Sequence, residues 1–446
     1  MKENSLSRKL GLFPATNIVI ANMIGAGIFT TSGLLIADLH DPVLMIVLWF
    51  AGGIIALCGA LSYGELGATF PEAGGEYMFL SRIFHPSLGF LSGWVSFIVG
   101  FSAPIAASAI GFSEYLLRTF PDWLGSFSGA TSLSPSLVSR LISVSVIILF
   151  TVIHSFGIKF GTRVQNVLTI LKVVLLIGFI TAILFSGKGN TGHFTVRHHG
   201  EAGSISPKAI GLALMWIMFA YSGWNASTYI GSEIRNPVRN LPASLLTGTF
   251  VVIILYLLMN VAFVYAIPPG EMKGVISVGG LAIGNLFGAA AERVVSVLIA
   301  FALFSSLSAF IIIGPRVYFA MARDGLFFKS VAKIHPKFKV PVIAIALQGI
   351  IAIIFIITGS LEQILTYMGF SLGIFPLLAV AGSIKMRLKS RVSLKIPGFP
   401  IPQIIYLSAG TLILILSFLE RPLESGIALA TVAVGIPVYF LFRKSP

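Results

Sequence analysis

The sequence predicts an all-α polytopic membrane protein of about 12 transmembrane helices, with the first and sixth interrupted, on three observations. The chain of 446 residues is 56% hydrophobic and only 10% charged, with a mean hydropathy of +0.96, which excludes a soluble globular domain of this size. Apolar runs long enough to cross the hydrocarbon core as helices recur along the whole chain, and they do not alternate as membrane β-strands of roughly ten residues would. Two of these runs are broken near their middles by small and polar residues.

The runs begin near Phe13, Val43, Leu88, Leu137, Val164, Pro207, Leu241, Ala289, Val340, Glu362, Ile401 and Gly426. With the N-terminus inside, roughly 21 Lys and Arg fall in inner segments, among them Arg8, Arg82, Arg323 and Lys385, against roughly 8 outside. Both termini are therefore expected in the cytoplasm, and the net charge of +14 reads as a topology signal with no need for nucleic acid. The first run is too long for a signal peptide and lacks a small-residue cleavage site. The longest polar connections, residues 119–136, 186–206, 268–280, 323–339 and 385–397, are each shorter than the roughly 50 residues a domain needs. Residues 1–446 are thus expected to form one transmembrane domain, and the chemistry must lie among the helices. The single cysteine, Cys58, lies inside the second run, reads as a small hydrophobe, and is given no chemistry.

The first break is Asn22-Met23-Ile24-Gly25-Ala26-Gly27-Ile28-Phe29. Backbone freed at membrane depth is tolerated only where protein buries it or a cavity lies beside it. The second break, Tyr221-Ser222-Gly223-Trp224-Asn225-Ala226-Ser227-Thr228, follows an apolar half-segment and is expected to resume at Tyr229 and end at Glu233. One segment enters from inside and the other from outside. Paired interrupted helices in two oppositely oriented halves point to a transporter built from inverted repeats. Residues 10–185 are then the first repeat, 207–384 the inverted second, and 399–442 two additional helices.

The ends of the half-helices define what such a site can hold. The opening amides of a helix lack intrahelical acceptors, and the macrodipole adds about half a positive charge there. A carboxylate therefore fits the backbone at Gly25, Ala26, Gly27 and Ile28, and an ammonium fits free carbonyls at Met23, Ile24, Phe219, Ala220 and Ser222. Donors and acceptors side by side, with no charged side chain on either break, match a zwitterion better than a simple ion. The expected substrate is an α-amino acid. Tyr221, Gly223, Trp224 and Asn225 are the candidate pocket or gate, although aromatic residues are also common packing in membrane helices.

Several motifs resemble the amino acid-polyamine-organocation (APC) superfamily, and its L-type amino-acid transporter branch in particular. They are Ile24-Gly25-Ala26-Gly27-Ile28-Phe29, Pro71-Glu72-Ala73-Gly74-Gly75-Glu76-Tyr77, Phe219-Ala220-Tyr221-Ser222-Gly223-Trp224-Asn225, the segment from Glu233 to Pro242, and the segment from Arg316 to Gly325. The resemblance covers nearly the whole chain and implies the five-plus-five inverted-repeat fold, shared with the LeuT-like transporters, and alternating access around a midplane site. It also implies a substrate carboxylate on the amides of Ala26 and Gly27 and an ammonium on the carbonyls of Met23, Phe219, Ala220 and Ser222. Two departures bear on substrate. Ala26 stands where relatives often have serine, so a hydroxyl contact is lost. Ser222 stands where relatives that accept cationic amino acids can carry an acid, which favours a neutral amino acid.

Lys172 stands alone in the fifth apolar run, roughly 13 Å beyond Arg163 along a helix, and an ionisable residue at that depth is a functional hypothesis. Its ammonium is expected against carbonyls of the first break and polar groups of the eighth helix, Ser305 or Ser306. A sodium ion occupies the equivalent place in related sodium-coupled transporters, and sodium-independent relatives resemble this chain in having a lysine there. The expectation is sodium-independent transport of small neutral L-amino acids across the plasma membrane, as exchange; proton-coupled uptake or efflux of amino acids or polyamines is the alternative.

The animal L-type relatives use a disulfide-linked heavy chain, but residues 119–136 hold no cysteine, so no such partner is expected. Glu233 is expected either to bond a neighbouring segment or to act as a cap. The Pro71 to Tyr77 motif, with Glu65, Arg82 and the segment from Arg316 to Asp324, is expected to form an inner surface where opposite charges meet. An enzyme is disfavoured: the histidines are scattered without His-Glu-x-x-His spacing, and neither a Gly-x-Ser-x-Gly nor a phosphate loop occurs. His193, His198 and His199 read as an exposed polar loop, and no metal or catalytic residue is expected. A channel is disfavoured because filters are usually rings from several subunits, whereas this chain has two unlike breaks.

Overall fold

The computed structural model describes residues 8–119, 134–156, 158–195, 206–338, 340–359 and 361–443. The chain is all-α: among these residues the only extended pairings are two isolated bridges, Leu10 with Ile234 and Ala73 with Ile230. The first span is split into α1 (Leu12–Met23) and α2 (Ala26–Leu39). It is followed by α3 (Pro42–Thr69), the short α4 (Glu76–Ile83), α5 (Pro86–Val95) and α6 (Ser102–Thr119). Then come α7 (Pro135–Ser155), α8 (Ile158–Leu184), α9 (Pro207–Ala220), α10 (Pro237–Ala266) and α11 (Val278–Phe287). The chain ends with α12 (Ala289–Arg323), α13 (Val342–Thr358), α14 (Leu361–Leu388), α15 (Ile401–Glu420) and α16 (Pro422–Arg443).

Among the described residues ten helical segments are long and apolar enough to cross a membrane, and the shorter α9 and α13 complete twelve spans. Several begin with proline just inside the first turn, where its missing N–H costs nothing. Asp41 caps α3 by accepting from the Leu44 amide at 2.9 Å ahead of Pro42, and Ser134 does the same for α7 through Leu137. The split first span is the centre of the bundle: 94% of its apolar window is buried, against 28% for α15 and 22% for α16. Helices with apolar residues facing outward on one side, such as α16, belong at the lipid boundary; α3 lies along α10, and α12 along α6, around the first span.

Three local features depart from the sequence reading. No α-helix resumes after the second break; single 3₁₀ turns run through Ala226–Tyr229 and Gly231–Glu233. Local bonds compete with the α-helical ladder there: the Thr228 hydroxyl donates to the Asn225 carbonyl at 2.7 Å, and the Ala226 amide to the Gly223 carbonyl at 2.9 Å. The third span carries a π turn at Ser96–Gly100 between α5 and α6, a distortion often found at functional sites. Finally, the loop read as an inner surface contains α4, launched by Gly74 and Gly75 at φ +118° and +54°. A side chain at Gly75 would meet the Tyr229 ring at 2.5 Å, so the glycine lets this loop pack directly on the segment that follows the second break.

Candidate functional site

The two breaks face each other. Only Ile24 and Gly25 separate α1 from α2, and Gly25 is extended at φ −122° and ψ −155°. A Cβ on Gly27 would lie 2.5 Å from Cα and Cβ of Ala220, the last residue of α9, and one on Gly223 would lie 2.7 Å from the Asn22 carbonyl carbon. Each break therefore uses a glycine to admit the backbone of the other. The first turn of α2 turns the amides of Ala26, Gly27 and Ile28 out of the helical ladder, and these residues, with Gly25, are buried. The Tyr256 hydroxyl donates to the Met23 carbonyl at 2.5 Å and lies 3.1 Å from the Ala220 carbonyl, so one side chain of α10 ties both half-helix ends together.

Lys172, 1% exposed on α8, reaches the end of α1. Its Nζ donates to the Ile24 carbonyl at 2.7 Å and to Ser306 Oγ at 2.7 Å, with the Ala21 carbonyl at 3.4 Å, and Ser306 in turn donates to the Ile24 carbonyl at 2.6 Å. A cation on the exposed carbonyls of a helix C-terminus is favoured by the dipole, and three acceptors use the three N–H groups of an ammonium. Of the two serines expected beside it, Ser306 is in contact. Ser305, one residue before it, is turned aside on α12 and accepts from Gln165 at 3.3 Å instead. Ile24 thus presents its carbonyl to Lys172 rather than to the space between the breaks.

Two adjoining cavities lie at the breaks, sharing Phe219, Ser222 and Phe310. The smaller, about 10 Å³, is lined by Asn22, Met23, Gly25, Ala26, Gly27 and Ala220 among others, room for about one water. Asn22 donates to the Ile18 carbonyl at 2.7 Å, but its buried Oδ1 has no donor, leaving a free acceptor at the edge of this cavity. The larger, about 90 Å³, is walled by apolar side chains such as Ile55, Met215, Met218 and Leu372 and by Ser222, Gly223, Trp224 and Asn225 of the second break. Trp224 closes one side, edge-on to Tyr63 at 4.7 Å and to Tyr406 at 5.8 Å. Tyr221 lines neither cavity: its ring packs against Trp49 and Tyr256, and its hydroxyl donates to the Trp49 carbonyl at 3.1 Å, so of the two candidate aromatics Trp224 borders a cavity and Tyr221 does not.

The loop segments expected at an inner surface do gather opposite charges. Arg82 pairs with Glu72 at 3.3 Å in an exposed pair, and buried Glu65 and Glu233 pair with Arg387 at 2.6 Å and Arg316 at 3.1 Å. Tyr77 donates to Asp324 at 2.5 Å, and burial together with that carboxylate raises the Tyr77 phenol above its ordinary range. The Glu233 carbonyl also accepts the amides of Lys9 and Leu10, which fastens the N-terminal segment to the end of the interrupted sixth span. Glu233 is therefore an ion-pair and strand-like anchor rather than a helix cap.

Three residues at the two cavities and breaks were not expected from sequence. Tyr256 sits in an apolar run where a tyrosine reads as packing, and Asn22 reads only as the edge of the break. Glu76 reads as a charged loop residue, yet it is 6% exposed and lines the larger cavity. Its Oε1 accepts from Asn225 Nδ2 at 2.7 Å and from the Tyr229 hydroxyl at 3.3 Å. Among the described residues no group of three His, Cys, Asp or Glu could hold a metal. His198 and His199, and most of the connection 119–136, lie outside the described residues.

The profile of the amino acid permease family matches residues 10–440 of this chain. The b(0,+)-type amino acid transporter 1 of Mus musculus is 31% identical over 446 residues, covering 99% of this chain and 89% of the relative. The large neutral amino acids transporter small subunit 2 of Homo sapiens is 30% identical over 449 residues, covering 98% of this chain and 81% of the relative. The Homo sapiens b(0,+)-type amino acid transporter 1 is 29% identical over 445 residues, 99% of this chain.

Proposed function

The chain belongs to the amino acid permease family, and from that premise we propose that it carries neutral L-amino acids across the plasma membrane without sodium, by alternating access and in exchange for a second amino acid. It is an amino-acid transporter and not an enzyme. The observation that carries the finer reading is the Lys172 ammonium on the Ile24 carbonyl and Ser306 hydroxyl. It supplies, from the protein itself, a positive charge at the junction of the first and eighth spans, so no external cation is needed there.

The substrate reading rests on the backbone. The carboxylate takes the amides of Ala26 and Gly27, backed by those of Gly25 and Ile28, at the positive end of α2. The ammonium takes carbonyls at Met23, Phe219, Ala220 and Ser222, with Asn22 Oδ1 as a further acceptor. Met23 already accepts from the single hydroxyl hydrogen of Tyr256, which also lies 3.1 Å from the Ala220 carbonyl, and each carbonyl has a lone pair left for a ligand. Neutral side chains enter the apolar cavity beside the second break. A space of about 10 Å³ between the breaks cannot hold an amino acid backbone, so binding separates the two breaks by a small hinge of the residues around Gly25 and Gly223.

Under this reading residues 10–185 and 207–384 are the inverted repeats, 399–442 are two additional helices, and both termini face the cytoplasm. The large neutral amino acids transporter is a small subunit by its name; here the single cysteine, Cys58, is buried in α3, and we propose that no heavy chain is joined by a disulfide. Uptake of labelled leucine into proteoliposomes, with all common amino acids as competitors, tests the assignment. Leucine-loaded vesicles should take up label at least about tenfold faster than empty ones; equal rates would replace exchange with net transport, and competition by polyamines alone would remove the amino-acid site.

A further inference from the structure

Asn225 has one donor group and one acceptor atom on its side chain, and the structure accounts for the donor completely. Nδ2 gives one hydrogen to Glu76 Oε1 at 2.7 Å and one to the Tyr229 hydroxyl oxygen at 3.2 Å. An ionised carboxylate is acceptor-only, so the opposite flip of the amide would set Oδ1 against Glu76 oxygen with no hydrogen between them. With Nδ2 so held, Oδ1 is the side-chain atom left to a ligand in the cavity that Asn225, Ser222 and Gly223 all line.

The groups facing Glu76 are the phenols of Tyr63 from α3, Tyr229 from the 3₁₀ turn and Tyr406 from α15, together with the Asn225 amide. Among the described residues no Lys or Arg pairs with Glu76, in contrast to Glu65, Glu72 and Glu233. The loop carrying it is fixed to the same turn by the Gly74 amide, which donates to the Tyr229 carbonyl at 3.2 Å.

We propose that Glu76 is a positioning residue for substrate recognition: its carboxylate fixes the Asn225 amide with Oδ1 toward the cavity, where Oδ1 accepts a hydrogen bond from the ammonium of the bound amino acid. The inference rests on the amino-acid site proposed above and adds a residue from outside both breaks to it. Burial pushes the Glu76 carboxyl up to about 7, so a change of charge falls within ordinary working pH. The protonated acid can donate, and it then accommodates either flip of Asn225 and no longer selects the one that offers Oδ1.

The test is equilibrium binding of labelled leucine to the full-length detergent-solubilised protein at pH 6 and pH 8, with uptake into proteoliposomes measured in parallel. For the wild type Kd is expected to rise about tenfold from pH 8 to pH 6, the worth of one hydrogen bond to a charged donor. Glu76→Gln is expected to bind at both pH values as weakly as the wild type does at pH 6, whereas Glu76→Asp keeps the pH dependence. The same wild-type pH profile in Glu76→Gln, or a flat profile in the wild type, overturns the proposal; the wild-type profile needs no variant to fold. Binding that follows the expected pattern without any uptake would instead overturn the transport reading and leave the role of Glu76 standing.

Discussion

The two breaks solve the same problem in different ways. The first is two residues long, rebuilds an α-helix at once, and is made of backbone: its carbonyls at Met23 and Ile24 are held by Tyr256, Lys172 and Ser306. The second is long, does not return to an α-helix, and turns side chains toward a cavity, with Ser222, Trp224 and Asn225 in its wall. Every α-amino acid shares its carboxylate and ammonium and differs in its side chain. The rigid backbone of the first break suits the shared carboxylate, and the irregular second break, whose carbonyls also meet the ammonium, adds exchangeable side chains that suit the variable part. The comparison teaches that selectivity between amino acids should reside in the second break and its neighbours, while substitutions at the first should affect all substrates alike.

The strongest way to break that comparison is at Gly27. Valine there drives carbon into the Ala220 backbone at 2.5 Å, where no side chain can yield, so uptake of every amino acid should fall by about a hundredfold or more. Gly25→Ala is the matched control: its Cβ meets nothing closer than 3.9 Å, and uptake should stay within about threefold. Measured leucine, alanine and phenylalanine uptake that changed selectively in Gly27→Val would place discrimination in the first break and contradict the division. A smaller effect is expected at Tyr256, whose hydroxyl joins the two breaks. Tyr256→Phe removes one hydrogen bond worth about 0.5–1.5 kcal/mol, so uptake should drop roughly three- to tenfold for all three amino acids, with their order unchanged.

The fold was largely legible because the bilayer imposes a ruler on sequence: run lengths gave the spans, and the observed helices begin within a few residues of them. The first break was legible because Gly-Ala-Gly inside an apolar run has few structural uses, and Lys172 because a lone ammonium in such a run needs acceptors. What stayed hidden depends on helix rotation and loop return. Ser305 and Ser306 are adjacent, and about 100° of rotation per residue decides which meets Lys172. Tyr221 and Tyr256 look alike in sequence, but one hydroxyl turns to Trp49 and the other to both breaks. Glu76 was invisible as a cavity residue because its charge argued for solvent, and only the glycine-driven turn before α4 carries it inward.

The central claim is that a fixed protein cation replaces an external one at the end of α1. The direct measurement is leucine exchange in amino-acid-loaded proteoliposomes with external sodium replaced fully by choline, for the wild type and for Lys172→Ala. The wild-type rate should be the same in both media, and Lys172→Ala should lose about tenfold or more in each, since the Ile24 carbonyl and Ser306 lose their charged donor. A wild-type rate that rises with an inward sodium gradient, or Lys172→Ala exchanging as fast as the wild type, would contradict it.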